Sequence, residues 1–250
     1  MSGIVVYSEY EAKRNEFAVS KFKKYLGAEL VTAENLQISA KHDFVINRTN
    51  NAKTAAEFEN IGVRVFNPSP LTALANDKQA CYEFMQSNGI EIMPVNQNAA
   101  PVVEKPANGK GGQGVRLIKS GEFKIKPGFV YQKPASDLGR DLRVWLIGGE
   151  IICAVLRQSD SDFRSNFCLG GKALPYELSA SEQALVLKIA SLLKFDYIGI
   201  DFVFNGGKIV FNEIEDSVGA RMVYEKTDID ILRLYCDYIC LLYTSPSPRD

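Results

Sequence analysis

Apolar runs of strand length alternate with helical stripes over residues 1–75. Ile4-Val-Val-Tyr7 is a continuous apolar run and predicts a strand. Glu11 to Leu26 places Ala18, Phe22, Tyr25 and Leu26 on one stripe, with Gly27 as a stop, and predicts an amphipathic helix. Phe44-Val-Ile46 and Val63-Arg-Val-Phe66 predict further strands, with a short helix from Ala55 to Ile61 between them. Such alternation predicts a small parallel α/β unit. Asn67-Pro-Ser-Pro70 reads as a linker to a second unit over 76–239, which opens with a helix from Lys78 to Ser87.

From Ile90 the period shortens to that of strands, predicted at 101–105, 114–119, 129–133, 141–147 and 150–157, with Gly148-Gly149 as a hairpin turn. Ser179 and Glu182 form a capping box for a helix from Ala180 to Lys194, with Leu185, Ile189, Leu192 and Leu193 on its apolar face. Two β-rich runs then flank Asn205-Gly206-Gly207, a hairpin signal, and Thr227 to Ile239 predicts a last helix.

That hairpin carries the first candidate chemistry. Asp201 lies on its first strand, and Glu213 and Glu215 lie two apart on its second, so the two glutamates leave one face. Three carboxylates brought together between apolar strands repel one another and are costly to desolvate. A hard cation such as Mg2+ relieves that cost, and Mg2+ commonly accompanies a nucleotide's phosphates. The alternative is a solvated sheet face, against which stand the apolar neighbours Ile200, Phe202, Phe211 and Ile214.

A second candidate lies upstream. The strand Val102-Val103-Glu104-Lys105 leads into Gly109-Lys110-Gly111-Gly112-Gln113-Gly114 and then into a second strand. Glycines free backbone N–H groups to curl around an anion, and Lys105 and Lys110 add positive charge. No Ser or Thr follows the lysine and no helix follows the loop, so this is not a Walker P-loop. A plain flexible turn is the alternative.

Composition narrows the field. Lysine plus arginine (29) balances aspartate plus glutamate (30), which argues against a nucleic-acid surface. No apolar run reaches a membrane span, and no signal peptide precedes the first strand. Cys81, Cys153, Cys168, Cys236 and Cys240 lack metal-type spacing and read as reduced thiols of a cytoplasmic protein. His42 is the sole histidine, which makes a histidine-rich metal site impossible; it is expected to be exposed.

The ordered set Lys78, Lys105, the glycine loop, Gln132-Lys133-Pro134-Ala135, Asp141-Leu-Arg143, Asp162-Phe-Arg-Ser-Asn166, Gly199-Ile-Asp201 and Asn212-Glu-Ile-Glu215 resembles the ATP-grasp superfamily. It looks most like the branch of the ribosomal protein S6 glutamate ligase. The resemblance implies an α/β (α+β) ATP-grasp fold with a small parallel α/β domain before it and lid strands at about 90–132. It implies that Lys78 and Lys105 contact the nucleotide phosphates and that Gly109, Lys110, Gly111, Gly112, Gln113 and Gly114 form a lid over them. Gln132, Lys133, Pro134 and Ala135 would be the adenine hinge, and Asp141 would hold the ribose side. Arg164, Ser165 and Asn166 would line the phosphate pocket. Asp201, Glu213 and Glu215 would hold Mg2+, with Mn2+ as an alternative. Bland readings stand beside these: Lys78 as a first-turn helix lysine, Asp141 with Arg143 as a surface ion pair, and Arg164 as a loop cation paired with Asp162.

This chain departs from the branch where Glu215 replaces the usual Asn, and its lid has no room for a good helix. The activity implied is ATP-dependent joining of a small-molecule or peptide carboxylate to an amine through an acyl phosphate, with Arg157 and Arg164 stabilising charge on the transferred phosphoryl group. A phosphotransferase and a non-catalytic nucleotide-binding module are the rivals. Residues 240–250, Cys240-Leu-Leu-Tyr-Thr-Ser-Pro-Ser-Pro-Arg-Asp250, resemble a translated sequencing adapter, so the natural C-terminus is expected to be missing and removal of the segment to leave stability unchanged.

Overall fold

The structure is a computed structural model and describes residues 2–109, 111–160, 162–164 and 171–244. Four parallel strands, β1 (Gly3–Tyr7), β2 (Glu29–Thr32), β3 (Phe44–Asn47) and β4 (Arg64–Phe66), form the first sheet in the order β2-β1-β3-β4. β1 and β3 are wholly buried, which explains their unbroken apolar runs. The sequence pattern missed β2, an edge strand with Leu30 exposed.

The expected helix from Glu11 to Leu26 is two helices, α1 (Glu9–Arg14) and α2 (Glu16–Leu26). Asn15 breaks it: its side-chain amide donates to the Glu11 carbonyl at 2.8 Å, a local bond that competes with helix continuation. α3 (Ala52–Asn60) follows β3, with the Asn51 side chain as its N-cap. The expected linker at 67–70 is instead the start of α4 (Ser69–Ala75), where Pro70 suits the first turn. Asn67 is buried and bonds to residues far along the chain. It donates to the carbonyls of Tyr197 and Asp216, both at 2.8 Å, and accepts from the amides of Asp196 and Tyr197. α5 (Lys78–Ser87) begins where the sequence placed it, with Asp77 accepting from the Ala80 amide.

Three short antiparallel strands, β5 (Val102–Pro106), β6 (Arg116–Ile118) and β7 (Phe129–Gln132), pair in the order β6-β5-β7. Among the described residues from 90 to 132 there is no helix, so this small sheet is built from strands and turns.

The third sheet is antiparallel, β10-β9-β8-β11-β12, from β8 (Arg140–Ile147), β9 (Glu150–Gln158), β10 (Lys172–Pro175), β11 (Tyr197–Asn205) and β12 (Lys208–Glu215). α6 (Ala180–Ser191) carries the expected capping box and buries Val186, Ile189 and Ala190 against one face. The expected final helix at 227–239 is found as α8 (Ile231–Thr244), which starts and ends later, and a short helix that the sequence pattern missed, α7 (Arg221–Lys226), precedes it. Asp230 sets the start of α8 by accepting from the Arg233 amide at 3.1 Å. α8 packs on α2 and β8, and Phe22, Phe44, Tyr197, Tyr235 and Ile239 share one core.

α8 runs to Thr244, about one turn into the segment that resembles a translated sequencing adapter. Cys240 packs on that core, the Tyr243 hydroxyl donates to the Asp43 carbonyl at 2.9 Å, and its ring meets Phe44. Leu241 and Leu242 remain exposed, and 245–250 lie outside the described residues. Burial pushes the thiols of Cys81, Cys153 and Cys236 up to about 12, which makes them poor nucleophiles. His42 is half-buried rather than exposed, with Nδ1 closed from solvent and no hydrogen-bond partner, and burial lowers its pKa.

Candidate functional site

Register places the charged side chains in one row. Asp141 on β8 lies opposite Arg157 on β9, Arg143 opposite Asp201 on β11, and Asp201 opposite Glu213 on β12. Residues two apart on a strand share a face, so the row stands on one face, while Leu142, Ile200 and Phe202 on the other enter the core beneath α6.

The row is tightly paired. Arg143 holds Asp201 by two bonds of 2.6 Å and reaches Glu215 at 2.9 Å. Arg157 grips Asp141 in a bidentate pair and gives Asp201 a further bond of 2.8 Å. The reading of Asp141 with Arg143 as a surface pair is therefore corrected: each pairs across strands, in a half-buried setting. Burial alone raises the Asp201 carboxyl, but the two guanidiniums outweigh it and hold it below the usual range. Glu215 moves the other way: burial, with repulsion from Glu213 and Asp201, raises it against the pull of Arg143.

Asp201, Glu213 and Glu215 each offer an oxygen, all within 4.8 Å of one another. Hard oxygen donors at that spacing suit Mg2+. Glu213 is the least engaged of the three, with Lys78 Nζ at 3.4 Å, whereas both Asp201 oxygens already accept from arginine.

A cavity of about 130 Å3 lies between the small sheet and this row. Lys78, Lys105, Gly109, Gly111 and Gly112 line one side, and Gln132, Lys133, Pro134 and Ala135 another. Asp141, Arg157, Arg164, Asp201 and Glu213 complete it. Lys78 Nζ donates to the Gly109 carbonyl at 2.5 Å, tying the helix start to the glycine loop. Lys105 Nζ donates to Gln132 Oε1 at 2.7 Å and Asn212 Oδ1 at 2.8 Å; burial pushes its pKa down to about 8. Arg164 pairs with Asp162 at 2.7 Å and donates to the Gly112 carbonyl, so it is both a loop cation and a tie to the glycine turn. The Lys133 amide is already given to the Pro94 carbonyl at 2.7 Å.

Gln113 and Gly114 lie outside that lining; Gly114, with φ +70°, sits against Pro106. Lys110, Ser165 and Asn166 lie outside the described residues. Sequence reasoning missed Asn212 as a partner of Lys105 and Arg143 as the clamp on two carboxylates. Asn212 adjoins Glu213 but points its amide oxygen at Lys105, a placement that only the register reveals. Arg143 had a signal, since it alternates with Asp141 on one strand face.

A second cavity of about 600 Å3 adjoins the first, sharing Gly111, Arg157 and Glu213 as a wall. Glu215 lines this second cavity and not the first.

A strand-borne lysine, a glycine turn and the carboxylates of Asp141, Asp201 and Glu213 thus surround one cavity of an α/β protein. A family model described as the RimK-like ATP-grasp domain matches residues 67–239, and the chain belongs to that family. It is similar to the uncharacterised protein MG011 of Mycoplasma genitalium, 27% identical over 260 residues, with 92% of this chain and 90% of that one covered. A probable alpha-L-glutamate ligase of Maridesulfovibrio salexigens is 27% identical over 209 residues, covering 73% of this chain and 69% of that one. Among solved structures, the ATP-grasp ligase PsnB complexed with minimal precursor superposes with a TM-score of 0.74 at 15% identity, covering 98% of this chain and 99% of that one.

Proposed function

We propose that this chain is an ATP-dependent carboxylate–amine ligase that forms an amide or peptide bond. The observation that carries the reading is the shared wall of Gly111, Arg157 and Glu213 between a nucleotide-type cavity and a larger second one. That wall is where a γ-phosphate from one side meets a carboxylate from the other.

In the first step a substrate carboxylate oxygen attacks the γ-phosphorus, and the bond to ADP breaks, leaving an acyl phosphate. In the second an amine attacks the acyl carbon, phosphate leaves, and the amine nitrogen loses a proton. Neither step needs a nucleophile from the protein; both need positioning and charge neutralisation. Lys78 and Lys105 bind the phosphates, and Gly109, Gly111 and Gly112 cover them. Gln132 to Ala135 flank the base, with the Lys133 amide excluded from that contact by its bond to Pro94. Asp141 faces the ribose. Arg157 and Arg164 stand where charge develops on the phosphoryl group.

Asp201, Glu213 and Glu215 fit a divalent cation by their donor chemistry, and Mg2+, with Mn2+ as the alternative, neutralises phosphate charge when bound. The substrates are a small-molecule or peptide carboxylate and an amine. Among the described residues no helix is long and apolar enough to cross a membrane, and the free thiols suit a cytoplasmic setting.

Incubation of Mg-ATP with paired acids and amines, followed by product analysis, tests the reading. Amide, ADP and phosphate in equal amounts are expected. A phosphorylated alcohol with ADP means a phosphotransferase, and ATP binding without ADP means a binding module.

A further inference from the structure

The second cavity opens at the point where the parallel sheet reverses its order. β1 lies between β2 and β3, so successive connections leave it on opposite sides. The crevice beyond the carboxyl ends of two such strands is where open α/β sheets hold ligands. Tyr7 ends β1 and Arg48 follows β3, its amide donating to the Val6 carbonyl at 2.9 Å, and both line the cavity.

Arg48 is a half-buried cation held by neutral groups. Its Nη2 donates to the carbonyls of Ser217 and Val218 at 3.0 and 2.7 Å, and its guanidinium carbon stands 5.8 and 5.9 Å from the rings of Tyr7 and Tyr197. Among the described residues neither Arg48 nor Arg221, which lies at the exposed rim, has a carboxylate partner. Arg221 donates to the Arg14 carbonyl at 3.4 Å. The Arg48 Nε and the hydroxyls of Tyr7 and Ser217 are closed from solvent without a hydrogen-bond partner. By contrast, Arg143 and Arg157 in the same cavity are matched by Asp201, Glu215 and Asp141. A partly desolvated guanidinium without counter-charge is unfavourable, and an anion relieves it. Glu11, Glu213 and Glu215 also line the cavity, beside the apolar Trp145 and Met222.

We propose that Arg48, with Arg221 at the rim, is the seat for a carboxylate carried by the acceptor substrate, separate from the reacting group near Glu213. The term acceptor rests on the ligase reading; the seat rests on the geometry. Planar guanidinium and carboxylate groups match in shape as well as charge. The carboxylate belongs either to a small acid or to a peptide terminus, and two matched probe pairs separate these sources.

Isothermal titration with glutarate against glutaramide, and with triglycine against triglycinamide, tests the seat in the presence of saturating Mg-ADP. In the wild-type chain at least one acid is expected to bind tenfold or more tightly than its amide. The pair that shows the preference names the source. Arg48→Met is expected to erase the preference while Mg-ADP affinity is retained. Absence of any preference in the wild-type chain overturns the proposal, as does a preference that survives both Arg48→Met and Arg221→Met. If Arg48→Met no longer binds Mg-ADP because it misfolds, Arg221→Met decides: a weakened preference supports the seat and an unchanged one overturns it. A wild-type chain that shows the preference but forms no amide removes the ligase reading and leaves the seat standing.

Discussion

Asp201 and Glu213 face each other across one hairpin, yet their surroundings assign them different work. Asp201 is 2% exposed and bonded to two arginines, so Asp201→Asn strips counter-charge from Arg143 and Arg157 together. Breaking a buried pair from one side costs about 3–5 kcal/mol, and urea unfolding of that variant is expected to show a loss of this order. Glu213 is partly open and, among the described residues, paired with Lys78, so Glu213→Gln is expected to keep the native unfolding midpoint while turnover falls about a hundredfold or more. Lys105 adds a pH test. Burial lowers its pKa to about 8, below the ordinary lysine value, so the folded chain sheds this proton first as pH rises. The group therefore opposes folding below pH 8, and that penalty fades as the pH rises from there through the ordinary lysine range. Phosphate binding favours the charged form. Mg-ATP affinity is thus expected to fall as pH rises through 8, with proton uptake on binding near that pH, and calorimetry in buffers of different ionisation enthalpy checks both. Lys105→Ala is expected to weaken Mg-ATP about tenfold or more and to abolish the proton uptake. The identity of these residues was legible in the sequence because charge amid apolar strands is conspicuous. Their partners were not: whether Asp141 meets Arg143 or Arg157 depends on register between strands, which side-chain type does not encode.

The elements that sequence pattern located best are those with local causes. α6 carries its own start signal in Ser179 and Glu182, and α5 begins at a capping aspartate. Ser179→Ala removes the hydroxyl that accepts from the Glu182 amide and is expected to cost about 1 kcal/mol, read as a shifted denaturation midpoint with an unchanged slope. Elements with non-local causes were missed or misdrawn. β2 is a short edge strand whose apolar content is too low to announce it. Asn67-Pro-Ser-Pro70 reads as a linker because proline marks breaks, whereas Pro70 here opens a helix and Asn67 is held by Tyr197 and Asp216, far along the chain. The last helix starts later than the sequence pattern placed it because Asp230 sets the start of α8, and its carboxylate also accepts from Lys21 and Tyr25 of α2.

At the scale of the whole molecule, the last helix belongs to the core of the first sheet, which ties the two ends of the chain together. Truncation after Thr244 is expected to leave the melting temperature unchanged. Truncation after Ile239 removes the Tyr243 and Cys240 contacts and is expected to lower it by about 2–4 °C for each kcal/mol lost. The assembly of the sheets also explains why the function is read at a boundary between cavities rather than from one motif. The small sheet and glycine turn cover one cavity, the parallel sheet closes the other, and Glu213 stands in both. The central claim is that a carboxylate is activated there by phosphorylation. Hydroxylamine tests it most directly, because it stands in for any amine and traps an acyl phosphate as a hydroxamate. With Mg-ATP, hydroxylamine and a panel of carboxylic acids, the account predicts hydroxamate and ADP in equal amounts for at least one acid, and neither with Glu213→Gln. ADP formed with a phosphorylated alcohol and no hydroxamate, or ATP bound with no ADP formed across the panel, would contradict it.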